Sequence, residues 1–152
     1  MGHEGRALVF GYGNPARGDD ALGPRLVELL EDRAGRHLNG KRPDLLTDYQ
    51  LQVEHALDLR GRDVVLFVDA SIDVSPPYDF RPLAPAGEMA YTTHVMDPST
   101  LLHVYQQICR GPLPCAFLLA IRGYQFGLGE TITPRARENL ELALGFVEEL
   151  LS

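Results

Sequence analysis

Ala7-Leu-Val-Phe-Gly-Tyr-Gly-Asn-Pro-Ala-Arg-Gly-Asp-Asp-Ala-Leu-Gly23 decides how the chain is read. Ala7 to Phe10 is a short apolar run that stops at Gly11, which is how a buried strand is written. Beyond the glycines, apolar residues return at Leu22, Leu26, Leu29 and Leu30, the i, i+4, i+7, i+8 spacing of one helix face. The stretch is therefore strand, glycine-rich loop, helix. The alternation continues downstream: Leu45 to Val53 reads as a weaker strand, Glu54 to Leu59 as a short helical segment, and Val64 to Val68 as a buried strand. Pro76, Pro77, Pro82 and Pro85 keep the next stretch out of a central strand and leave a loop or an edge strand over Tyr78 to Leu83. Asp97-Pro98 supplies an N-cap and a first-turn proline for a helix with Leu101, Tyr105 and Ile108 on one face, ended by Gly111-Pro112. Cys115 to Ile121 is a third strong strand, and Thr133-Pro134 opens a last helix faced by Leu140, Leu144, Val147 and Leu151.

Strands alternating with helices predict the α/β class. The expected architecture is one three-layer α/β/α sandwich over residues 1–152, with a mostly parallel, twisted sheet of about five strands and helices on both faces. A chain of 152 residues with 45% apolar content can close such a core without disulfide or metal staples, and it is too apolar for intrinsic disorder. Fourteen Lys and Arg against 21 Asp and Glu give a net charge of −7, which repels phosphate backbones and anionic lipid, so no nucleic acid and no membrane are expected as partners. Cys109 and Cys115 lack redox or metal spacing and read as reduced interior residues. With no signal-peptide pattern at the N-terminus, the cytoplasm is the expected compartment.

In open α/β sheets, ligands gather beyond the carboxyl ends of the strands, where strand order reverses. The sequence delivers Asn14, Asp19 and Asp20 there after the first strand, Asp69 after the Val64 strand, and His94 in the loop before Pro98. Two carboxylates and an imidazole offer hard oxygen donors and one borderline nitrogen, suited to nickel, zinc, manganese or iron(II) with coordination positions left open. Without a cation, two close carboxylates would titrate as a coupled pair. Taken singly, Asp19 reads as a helix cap, Asp69 as a carboxylate on a loop amide and His94 as a loop histidine; only their convergence singles them out. Gly11, Gly13 and Ala16 superficially match a dinucleotide fingerprint. Against that match, Asp19 and Asp20 would face the phosphates, and Glu31 and Asp32 fall inside the helix rather than at the end of a second strand.

Taken as one string, Gly11 to Gly23 resembles the opening motif of the hydrogenase maturation endopeptidases. Val68-Asp69-Ala70, Thr93-His94 before the Pro98-Ser99 helix, and the loop from Gly123 to Pro134 extend the likeness over nearly the whole chain. The resemblance implies a twisted sheet flanked by helices, and an endopeptidase that removes the C-terminal extension of a NiFe hydrogenase large-subunit precursor after nickel insertion. The implied metal and catalytic positions fall on Asp20, Asp69 and His94. Asn14 and the loop amides are expected on the substrate backbone, and Asp19 is expected beside them on the substrate side, capping the helix rather than touching metal. The resemblance also implies that nickel is supplied by the substrate, with no tightly bound metal of the protein's own. Asp48-Tyr49-Gln50-Leu51-Gln52 stands where many relatives carry a Gly-Thr turn, and Ala21 where the motif often has Gly. Two other functions suit the same residues: a metal-dependent hydrolase of a small substrate with its own ion, and a non-catalytic chaperone that senses nickel in a client.

Overall fold

The structure, a computed structural model, describes residues 6–37, 42–86 and 96–152. The first apolar run forms β1 (Ala7–Tyr12), and a 3-10 turn over Gly18–Ala21 leads into α1 (Leu22–His37). β2 (Asp44–Asp48), a 3-10 helix (Val53–Leu59), β3 (Val64–Ser71) and β4 (Tyr78–Leu83) follow. The chain ends with α2 (Pro98–Ile108), β5 (Cys115–Arg122) and α3 (Pro134–Leu151). The five strands make one sheet in the order β2-β1-β3-β5-β4, parallel except for β4, which runs antiparallel to β5. From β1 the chain steps to β2 on one side and then returns to β3 on the other. Strand order thus reverses between β1 and β3, and the crevice above that point is where a ligand belongs.

Alternation of side chains along each strand sorts the core into two halves. Val9, Leu66, Val68, Leu119 and Ile121 pack under α1 and α3, against Leu22, Leu26, Leu140, Leu144 and Val147. On the opposite face Leu8, Phe10, Val65 and Phe67 meet Leu59 of the second 3-10 helix and Leu101, Leu102 and Tyr105 of α2. Each such side chain contributes about 1.5–3 kcal/mol of burial, so both helical layers are held by the sheet they cover. The expected three layers are present. β4 keeps its place at the edge despite Pro82 because Phe80 stacks on Phe117 at 5.2 Å and meets Phe146 edge-on at 4.8 Å.

Several expectations shift. β2 ends at Asp48 rather than Val53, because Oδ1 of Asp48 takes the Tyr49 amide at 2.7 Å and turns the chain. β3 continues to Ser71, which puts Asp69 inside the strand instead of in the loop after it. Ile108, expected on the packed face of α2, is exposed at that helix's last turn. The cysteines are both free, but Cys115 is exposed at the start of β5 and Cys109 only half-buried, so neither is the interior residue that its spacing suggested. Asp97 caps α2 as read, its Oδ1 accepting the Thr100 amide at 2.8 Å, and Thr133 caps α3. Among the described residues no helix is long and apolar enough to cross a membrane.

Candidate active site

The loop after β1 is shaped by Gly13. Its φ is +146°, and a Cβ there would lie 2.1 Å from the Asp20 carbonyl oxygen, so only glycine lets the loop double back on the helix entry. The Gly13 amide donates to the Asp48 carbonyl at 3.0 Å, tying the loop to the end of β2. This fold-back brings Asp20 under the loop, where Oδ2 accepts the Asn14 amide at 2.7 Å. Asn14 is locked in turn, its Oδ1 holding the Ala16 amide at 2.9 Å.

Asp69 projects from β3 on the other side of the switch point. Its Oδ1 accepts the Ala70 amide at 2.8 Å, and the Tyr12 hydroxyl donates to the carboxylate. Burial pushes the Asp69 carboxyl up to about 7; the Ala70 amide pulls against that rise, the charge of Asp20 adds to it, and the Tyr12 hydroxyl opposes it. Burial and then the Asp69 charge drive the Tyr12 hydroxyl far above its ordinary range, with Asp97 adding to the effect, so Tyr12 remains a donor at any working pH. Asp69 thus feels the charge of Asp20 across the reversal point. A protein that holds two carboxylates close enough to interact, one of them poorly solvated, has donors suited to a divalent cation. Among the described residues no group of three or more His, Cys, Asp and Glu is assembled to hold a metal. His94, the third expected member, lies outside the described residues.

Asp19 has a different duty from the one its position suggests. It neither caps α1, whose leading 3-10 turn has no side-chain cap, nor faces a substrate, because it is 0% exposed. Its Oδ2 accepts the Tyr124 amide at 2.7 Å, the Gln125 amide at 3.1 Å and the Thr133 hydroxyl at 2.9 Å, and its Oδ1 takes the Thr133 amide at 2.7 Å. With its lone pairs spent, the carboxylate braces the loop between β5 and α3 against the loop after β1. His55, which carries no positional signal in the sequence, is buried with both ring nitrogens engaged. Nδ1 accepts the Gln52 amide at 2.8 Å, so Nε2 holds the proton and donates to Asp48 at 3.0 Å. This pair fixes the wall beside the site and leaves no nitrogen for proton transfer. Tyr12 is the site residue that the sequence reading passed over; its place at the carboxyl end of β1, two residues beyond buried Phe10, is the signal that would have found it.

No profile of a known protein family matches the sequence, and no curated protein matches it. Solved structures do. The chain is similar to the NiFe hydrogenase maturation protease HycI of Thermococcus kodakarensis at 23% identity, with 96% of this chain and 92% of that one superposed at a TM-score of 0.72. The fold is that of the hydrogenase maturation proteases. The Escherichia coli hydrogenase maturating endopeptidase HybD matches at 22% identity, over 93% of this chain and 89% of that one, with a TM-score of 0.71. The hydrogenase 2 maturation peptidase of a Thaumarchaeota archaeon matches at 21% identity, over 97% and 98% of the two chains, with a TM-score of 0.65. The shared fold spans nearly the whole of this chain in each case.

Proposed function

We propose that the chain is an endopeptidase that removes the C-terminal extension of a NiFe hydrogenase large-subunit precursor once nickel is in place, with Asp20, Asp69 and His94 engaging the substrate's nickel. The observation that carries this reading is the pairing of Asp20 with a poorly solvated Asp69 at the switch point, on a fold shared with proteases of that maturation step. Burial raises the Asp69 carboxyl to about 7, so it holds a proton more readily than an exposed aspartate does. A cation carried in by the precursor favours the ionised form, so docking and proton release from Asp69 are linked. The Ala70 amide orients the Asp69 carboxylate while this happens, and the Tyr12 hydroxyl beside it stays protonated. The loop amides from Gly13 to Asp20, expected on the peptide backbone, are all spent inside the protein, so that contact falls to the Asn14 side-chain nitrogen instead. Hydrolysis then requires water to add to the carbonyl at the tail junction and the amine to depart with a proton, and an ion that polarises that water or carbonyl lowers the barrier. A precursor without nickel lacks the charge that the carboxylates need between them, which makes the cut conditional on metal insertion.

The test is to incubate the purified protein with nickel-loaded and nickel-free precursor and to weigh the large subunit by mass spectrometry. The expected result is loss of the tail mass from the loaded precursor alone, and no loss with Asp20→Asn or His94→Ala. Tight association with no mass change would replace the peptidase with a nickel-sensing chaperone. Stoichiometric zinc or manganese retained through purification, with cleavage of nickel-free precursor, would replace it with a hydrolase carrying its own ion.

A further inference from the structure

The strongest unexplained feature lies at the carboxyl end of β5. Arg6, Arg25, Arg33, Arg62 and Arg81 are all engaged in ion pairs. Arg17, Arg42, Arg60, Arg110 and Arg137 make none with a carboxylate among the described residues, and neither do Arg122 and Arg135. Instead both guanidiniums are gathered on one ring, 4.8 and 4.5 Å from the centroid of Tyr124. Among the described residues neither guanidinium has a carboxylate within ion-pair distance, in a molecule of net charge −7.

The assembly is held rigid from below. Asn139, buried on α3, donates through Nδ2 to the Tyr124 hydroxyl and to the Arg122 carbonyl, both at 3.1 Å. Asp19 clamps the Tyr124 amide at 2.7 Å. Arg122 is fixed by Nε on the Gly123 carbonyl at 3.1 Å and by Nη1 on the Val74 carbonyl at 2.9 Å, leaving Nη2 with no hydrogen bond among the described residues. Arg135 stands exposed in the first turn of α3, where the helix dipole adds to the positive potential.

Register places the start of Arg122 on the strand next to Asp69. Ala120 pairs with Asp69 and Arg122 with Ser71, so Arg122 starts two residues further out on the neighbouring strand, about 7 Å along it, and on the same side of the pleat as Asp69. We propose that Arg122 and Arg135, arrayed on Tyr124, form a subsite for a carboxylate on the peptide segment that enters this rim, either an acidic side chain or a free C-terminus. Guanidiniums grip carboxylates with paired, planar hydrogen bonds, and a fixed platform loses little entropy in doing so. The assignment to a peptide segment rests on the peptidase reading above; the carboxylate chemistry does not.

The test is an NMR titration of the full chain, following the Arg122 and Arg135 Nε–Hε and the Tyr124 signals. The probes are acetyl-Gly-Ser-Gly as free acid, the same peptide as its C-terminal amide, and acetyl-Gly-Glu-Gly amide. Saturable shifts with the free acid, absent with the neutral amide and weakened about tenfold in Arg135→Gln, are expected. A response to the glutamate peptide as well extends the subsite to acidic side chains; a response to the free acid alone assigns it to a chain terminus. Because Arg135 is exposed, its replacement leaves the fold in place, and in the unaltered protein added salt must weaken the same shifts. Equal shifts with the neutral amide, or undiminished binding by Arg135→Gln, would overturn the subsite. The readout is independent of cleavage. Precursor processing without tripeptide binding sinks the subsite alone, and tripeptide binding without processing leaves the subsite standing while sinking the peptidase.

Discussion

Asp19 and Asp20 are neighbours in the chain with opposite physical lives. Asp19 is sealed in the interior and accepts four hydrogen bonds, whereas Asp20 takes one amide and interacts with Asp69. Asp19→Ala strands the buried amides of Tyr124 and Thr133, so denaturant unfolding should show a loss of about 3 kcal/mol or more, while Asp20→Asn should stay within about 1 kcal/mol of the parent. The sequence could not separate the two, because the partners of Asp19 lie more than a hundred positions along the chain. Asp69 gives a second prediction. Its carboxyl titrates near 7 when folded against 3.8 as the ordinary value, so the folded state binds the extra proton between those limits. The Asp69 contribution to stability must therefore fall as pH rises from about 4 through 7, and that penalty persists above the range. Asp69→Asn should flatten this slope and stabilise the protein above pH 7, by an amount on the order of a few kcal/mol, while abolishing tail removal. A mutant with the parent's slope in urea melts across that range would contradict the assignment.

Elements are held in place by close approach and by caps. Gly23 presses α1 onto the sheet so tightly that a Cβ would sit 2.5 Å from the Val68 carbonyl oxygen and 2.8 Å from that of Tyr12. Gly23→Ala should thus cost about 2 kcal/mol in thermal or urea unfolding, because the helix has to lift from the two strands that carry the site. Asp97→Ala removes the cap of α2 and should cost about 1 kcal/mol. At this scale the sequence was readable wherever periodicity was strong: β1, β3, β5, α1 and α3 all stand where apolar spacing put them. It was less readable where side-chain to backbone bonds set the boundary. β2 stops because Asp48 bonds its own neighbour's amide, and the following 3-10 helix opens on the reciprocal Gln52–His55 pair. Neither event leaves a hydrophobic pattern to read.

For the whole molecule, strand order carries the function. The order β2-β1-β3-β5-β4 puts the reversal between β1 and β3, so Asp20 from the loop after β1 and Asp69 from the end of β3 flank one crevice. That convergence was inferable because helices must return the chain before each parallel strand. The meeting of two arginines on one tyrosine was not, since Arg122, Tyr124 and Arg135 come together through the loop that Asp19 braces. The central claim is that Asp20 and Asp69 share one electrostatic site, and a carbon-13 titration of the Asp69 carboxyl in the parent and in Asp20→Asn tests it directly. A midpoint near 7 that drops when Asp20 loses its charge is the predicted result. A midpoint near 4 in both proteins would contradict it.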